Sequence, residues 1–221
     1  MVVAPVSSGI ASQAEVDVMA EFFTAVRYAN TTPVTQSSLC TSWPSMVVCT
    51  LDSVTALNFT NINLRGGTLP ASLSRLANMT SLVIKSCSLT GTLPPSFSSW
   101  PRLSSFDVSR NDLTGSIPSE YSRLTSIQIF SCEFNSLNGT LPASLSAWGD
   151  IYTFTITGNS LSGTLPAEYA AWRHVTVLNV ENNSMTGVLQ AQYSALTAMF
   201  QFDASTNLKG CCLHNMVHGL S

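Results

Sequence analysis

A four-residue signature returning at a fixed interval constrains this chain more than any other feature. Gly67-Thr68-Leu69-Pro70 recurs as GTLP at Gly91, GSIP at Gly115, GTLP at Gly139 and Gly163, and decays to GVLQ at Gly187, with 24 residues between successive glycines. The apolar positions keep the same phase. Six residues after each glycine stand Leu73, Phe97, Tyr121, Leu145, Tyr169 and Tyr193, and nine after it Leu76, Trp100, Leu124, Trp148, Trp172 and Leu196. Offsets 15 and 17 hold Leu82 and Ile84, Phe106 and Val108, Phe130 and Cys132, Phe154 and Ile156, Leu178 and Val180, then Phe202 and Ala204. At offset 20 Cys87 is followed by Asn111, Asn135, Asn159, Asn183 and Asn207. Such a period marks a stacked array, in which no single unit can bury its own apolar edge.

Each unit reads LxLxxNxLxG. Two apolar residues spaced by two share one side of a short strand, and the polar residues between them face the other side. An Asn at fixed offset pairs with backbone groups of the neighbouring turn, which would otherwise be orphaned as the chain leaves the strand. Gly allows the tight turn that follows, and Pro fixes an extended start for the return segment. An earlier, degenerate unit carries Leu57, Phe59, Ile62 and Leu64. The expectation is an α/β repeat solenoid over residues 51–209, with about seven units, a parallel sheet on its concave face and loop or 3-10 segments on its convex face. Six gaps between strands at about 4.8 Å make the sheet roughly 29 Å wide.

The ends of such a core need caps. Residues 14–50 read as the N-terminal cap. Within it Ala14 to Ala29 place Val18, Phe22, Phe23, Ala25, Val26 and Ala29 on one side of a helix. Cys40 and Cys49 flank Trp43 at a spacing that suits a disulfide and lacks the CxxC form of a metal or redox site. Residues 1–13 read as an unstructured or processed leader remnant, and 210–221, with Cys211, Cys212, His214 and His218, as an incomplete C-terminal cap or tail.

Composition narrows the function. The chain is 10% charged with a net charge of -3, so it offers no basic footprint for nucleic acid, and no run of eighteen apolar residues forms a transmembrane segment. Histidine is scarce, the acids are scattered over separate units, and no GxxxxGK[ST] or GxGxxG motif occurs, so neither catalysis nor a metal or other cofactor is expected. Cys87 and Cys132 sit at internal repeat positions and read as buried small residues.

The repeat is similar to the 24-residue leucine-rich repeat, in the form shared by plant receptor ectodomains, plant polygalacturonase inhibitors and trypanosomatid surface antigens. GTLPASLSRLANMTSL, GTLPPSFSSWPRLSSF and GTLPASLSAWGDIYTF, with the FFTAV helix and CTSWPSMVVC, most resemble the promastigote surface antigen family. This chain departs from that pattern in keeping Asn where many antigen repeats have Thr, and in ending CCLHNMVHGLS. The resemblance implies a non-enzymatic, extracellular or cell-surface recognition module that binds a protein or glycan, with a host receptor or complement component as partner. A plant-type receptor ectodomain, a polygalacturonase inhibitor and an intracellular scaffold stay open beside it.

The strand positions facing away from the core supply the candidate site. Lys85, Asp107, Arg110, Ile129, Glu133 and Phe134 cluster on three successive strands, with Thr155 and Glu181 further along the same face, and an aromatic beside charged groups suits a binding hot spot. Asn30, Asn58, Asn78, Asn138 and Asn182 are N-glycosylation sequons. Glycans on Asn58 and Asn182 are expected near the two ends of the concave face, leaving the strands between them open.

Overall fold

The computed structural model describes residues 11–28, 34–42, 45–199 and 201–204. Asn30, Trp43, Asn207, Cys211, Cys212, His214 and His218 lie outside the described residues.

After helices α1 (Gln13–Ala25) and α2 (Gln36–Leu39), β1 (Val47–Thr50) pairs antiparallel with β2 (Ser53–Thr60). From β2 onward the sheet is parallel: β3 (Ser81–Lys85), β4 (Ser105–Asp107), β6 (Ile129–Ser131), β8 (Thr153–Thr155), β9 (Val177–Asn179) and β10 (Gln201–Asp203) follow side by side. Direct register aligns Leu57, Leu82, Phe106, Phe130, Phe154, Leu178 and Phe202 into one buried row. Its phenylalanines stack at 5.3 and 5.7 Å between centroids. Each return segment from Pro70 to Gln190 opens extended and then makes a single 3-10 turn, the first over Ala71–Arg75 and the last over Ala191–Ala195. These turns bury the residue six positions after each motif glycine.

A second, narrow row of parallel pairing runs beside the turns. β5 (Thr114–Gly115) pairs with β7 (Ser136–Leu137), and isolated bridges join Thr68 to Thr90, Thr92 to Thr114 and Thr140 to Ser162. The motif glycine is needed here for two reasons. Gly163 has φ +77°, and a Cβ on it would lie 2.9 Å from Cγ2 of Thr140 in the preceding unit.

Polar side chains sew each unit to the one before it. Asn159 donates through Nδ2 to the carbonyls of Cys132 at 2.9 Å and Ile156 at 3.0 Å, and its Oδ1 accepts from Leu137 N at 2.9 Å. Asn111, Asn135 and Asn183 repeat the arrangement. Cys87 holds the equivalent place with a thiol, its Sγ 3.2 Å from Phe59 O and 3.1 Å from Lys85 O. The tyrosine hydroxyls donate backward to proline carbonyls: Tyr121 to Pro94, Tyr169 to Pro142 and Tyr193 to Pro166. Trp148 and Trp172 donate their indole N–H to the carbonyls of Tyr121 and Leu145. Trp100 Nε1 has no hydrogen-bond partner among the described residues.

The cap helix is shorter than the sequence suggests. It ends at Ala25 because Arg27 turns left-handed at φ 52°, with Arg27 N bonded to Thr24 O and Tyr28 N to Phe23 O, and the rings of Phe23 and Tyr28 in contact at 5.6 Å. Ser12 and Glu15 form a capping box at its start. The other oxygen of the buried Glu15 carboxylate accepts from Ser53 Oγ at 2.6 Å and Val54 N at 3.0 Å, tying α1 to the first parallel strand. Phe22 packs edge-on against Phe59 at 5.3 Å. At the other end of α1, Thr68 N donates to Ala25 O, and Gly67 lies so close that a Cβ would fall 2.3 Å from Val26 Cα. A disulfide joins Cys40 to Cys49, and Cys87 and Cys132 are buried free thiols.

Gly67→Ala is therefore expected to destabilise the chain by at least about 2 kcal/mol, whereas Gly149→Ala, with open space around it, stays within about 0.5 kcal/mol in urea melts. Burial pushes the Cys87 thiol up, and it pushes the Cys132 thiol and the Tyr121, Tyr169 and Tyr193 hydroxyls up as well. Such groups stabilise the fold below their unfolded pKa and lose that contribution as pH rises toward the native one. Stability measured by urea titration should fall above about pH 8.5 and more steeply above about pH 10, by about 1.4 kcal/mol per pH unit for each ionising group.

Candidate ligand-binding face

Alternation along the strands sends Phe154 and Ile156 into the core and Thr153, Thr155 and Thr157 to the concave face. Two stripes cross that face in register, Ser81, Ser105, Ile129, Thr153, Val177 and Gln201, and beside them Val83, Asp107, Ser131, Thr155, Asn179 and Asp203. The centre of the face is less open than alternation alone implies. Ser109, Ser131, Thr155 and Thr157 are 0, 8, 8 and 3% exposed. Ile129 and Phe134 stay exposed at 43% each. The result is a trough with a floor of hydroxyls.

The charges on this face are interspersed. Asp107 accepts through Oδ1 from both the amide and the hydroxyl of Ser109, and its Oδ2 is 3.8 Å from Lys85 Nζ. Its carboxylate is thus engaged within the sheet. Glu133 and Glu181 share instead the repeat position of Lys85 and Ser109, two residues beyond that of Asp107, and both are half-buried.

The upper wall comes from a backbone feature. Ser86, Arg110, Phe134 and Asn182 all have φ between 51° and 58°, and Gly158 at the same repeat position has φ 69°. That left-handed turn lets Arg110 N, Phe134 N and Gly158 N bond to Glu133 O, Thr157 O and Glu181 O of the following unit. Side chains at this position line up along the solenoid. The Arg110 guanidinium carbon lies 4.5 Å from the Phe134 ring centroid, and Phe134 Cδ1 lies 2.7 Å from where a Cβ on Gly158 would be. Phe134 is held between a cation and a vacant side-chain position. Among the described residues Arg110 makes no ion pair.

The structure thus brings Lys85, Asp107, Arg110, Ile129, Glu133 and Phe134 onto one face, with Thr155 on the trough floor and Glu181 at its far side. Of the sequons, Asn58 and Asn182 are exposed toward the two ends of this face, Asn78 is exposed after the first 3-10 turn, and Asn138 is exposed after β7. Asn78 Nδ2 donates to Ser53 Oγ at 2.8 Å. Sequence reasoning places Ser131, Thr157 and Gly158 on the outward side of the sheet but leaves them out of the candidate cluster. The signal for Gly158 was a glycine at a repeat position where neighbouring units carry Arg110 and Phe134. His174 is exposed, 6.0 Å from the Tyr152 ring. No helix among the described residues is long and apolar enough to cross a membrane, and no metal-holding cluster occurs among them.

Known proteins place this geometry. The Leucine Rich Repeat family model matches residues 78–100 and 102–124. No curated protein matches the sequence. Among solved structures, the chain is similar to the ectodomain of the plant membrane receptor kinase GASSHO1/SCHENGEN3 from Arabidopsis thaliana, in complex with CASPARIAN STRIP INTEGRITY FACTOR 2, at 25% identity and TM-score 0.78, over 89% of this chain and 24% of that one. It is similar to the plant peptide hormone receptor RGFR1 in complex with RGF2 at 27% identity and TM-score 0.63, over 64% of this chain and 23% of that one. The ectodomain of the Arabidopsis receptor kinase HAESA, with a peptide hormone ligand, shares the fold at 23% identity and TM-score 0.70, over 88% of this chain and 33% of that one. The fold is a leucine-rich repeat solenoid of the kind found in plant receptor ectodomains. The chain spans about a third of the length of the HAESA chain and about a quarter of the other two.

Gly158→Ala is expected to displace the Phe134 ring from its slot and to destabilise the fold by about 1–2 kcal/mol, through both the contact and the left-handed backbone. Loss of the Phe134 ring-current shifts in the NMR spectrum, with a lower melting temperature, checks it.

Proposed function

We propose that this chain is a non-enzymatic extracellular recognition module whose concave face captures an extended ligand. The observation that carries this reading is the trough: a hydroxyl floor between exposed Ile129 and the Arg110–Phe134 stack, on three neighbouring strands of a rigid scaffold. The solved neighbours support it, since RGFR1 is in complex with RGF2, the GASSHO1/SCHENGEN3 ectodomain with CASPARIAN STRIP INTEGRITY FACTOR 2 and the HAESA ectodomain with a peptide hormone ligand. The Cys40–Cys49 disulfide supports an oxidising compartment. Exposure of Asn58, Asn78, Asn138 and Asn182 makes each available as a glycan acceptor. The GTLP units and the cap segment favour a parasite surface antigen that adheres to host cells or engages a host receptor or complement component. Plant-type receptor or polygalacturonase-inhibitor activity is the second reading, favoured by the structural neighbours.

Secretion of the chain from a eukaryotic host tests the reading. Glycosidase should lower the intact mass, and alkylation before reduction should leave Cys40 and Cys49 unmodified. A chain that carries no glycan and has both of these thiols alkylated contradicts an extracellular role.

A further inference from the structure

The chemistry of the trough selects among ligands. Ser131, Thr155 and Asn179 are in direct register on β6, β8 and β9. Alternation puts all three on the concave face. Ser131 and Thr155 are only 8% exposed, and beside them Thr157 Oγ1 and Asn179 Oδ1 are buried with no hydrogen-bond partner among the described residues. Buried polar groups are nearly always paired, so two unpaired ones beside a row of short polar side chains call for a partner that brings many small donors and acceptors. Its period is the strand spacing of about 4.8 Å, whereas an extended peptide presents like-facing groups only every ~6.6 Å and drifts out of step after one contact. A linear chain of hexoses advances by close to one strand spacing per ring and offers hydroxyls that both donate and accept. Charge points the same way: Lys85 and Arg110 are offset by Asp107, Glu133 and Glu181, so the face carries no strong field of either sign for a charged ligand. The exposed part of the Phe134 ring gives a flat apolar surface for the C–H face of a sugar, and the free N–H edge of the stacked Arg110 guanidinium gives donors beside it.

Resting on the reading of the concave face as the binding site, we infer that the trough from Arg110 to Asn179 binds a neutral, linear hexose polymer, one ring per strand. Ser131, Thr155 and Asn179 hydrogen-bond successive rings, Phe134 stacks on one, and Arg110 fixes its hydroxyls.

Calorimetric titration of the full chain with neutral cello-oligosaccharides of increasing length tests this, with uronic-acid oligosaccharides and acidic or neutral extended peptides as comparators. Affinity should rise with each added ring until the trough is filled, and exceed that for the uronic-acid chains. Thr155→Val, which removes a hydroxyl at constant shape, and Phe134→Ala should each weaken binding about tenfold, the loss expected for one hydrogen bond to a buried group or one stacking contact. Thr125→Val, at an exposed site outside the trough, should leave it unchanged. Circular dichroism before titration confirms that each variant is folded. Oligosaccharide binding unaffected by Thr155→Val and Phe134→Ala overturns the site. Peptide binding that these variants weaken, with no oligosaccharide binding, overturns the ligand class and leaves the concave reading standing. Absence of binding to every oligosaccharide by the folded parent overturns the inference outright.

Discussion

Everything in this molecule depends on one unit satisfying the backbone of the unit before it. As the chain leaves each strand it exposes carbonyls and amides that no ladder bond reaches, and the asparagine of the following repeat fills them from inside the core. Asn159, for example, joins Cys132 O to Leu137 N across the boundary between units. Tyrosine hydroxyls and tryptophan indoles make the same backward reach on the convex side, to Pro94, Pro142, Pro166, Tyr121 and Leu145. Hydrophobic stacking holds the phenylalanine row together, but it does not fix register. The side-chain bonds do, because a slip of one residue would leave their buried partners bare.

Much of this was legible in the sequence, for a physical reason. Strand positions repeat with the period of the sheet, so Leu82, Phe106, Phe130 and Phe154 announce themselves by spacing alone, and the Asn offset points to a polar role because an apolar residue there would leave amides unpaired. The bonds of Tyr121, Tyr169 and Tyr193 were not legible. Those residues share a repeat position with Leu73 and Phe97, and nothing in the spacing separates a ring that only fills volume from one that also donates. The end of α1 was missed by several residues, since Arg27 adopts a conformation that composition does not signal.

The candidate face was only half readable. Alternation identified which residues leave the core, and so found Lys85, Arg110, Ile129 and Phe134. It does not report height. Thr155 and Ser131 lie on the outward side of the sheet yet are nearly buried, because exposure also depends on the neighbours across the sheet, which alternation along one strand does not encode. The contact between Phe134 and Gly158 escaped for a related reason: it depends on what one glycine lacks, and a missing side chain leaves no mark in a pattern built from the side chains present.

The backward direction of the asparagine bonds bears on how such a chain changes in length. A unit carries the donor for its predecessor and presents the carbonyls that its successor will use. Copying any internal stretch of 24 residues therefore inserts a rung complete with its own glycine, threonine contact and amide bridge. Tandem duplication of the coding segment lengthens the solenoid without asking any existing residue to mutate. The N-terminal cap, whose fit against the first unit depends on single positions such as Gly67 and Glu15, is the part that cannot be copied in this way.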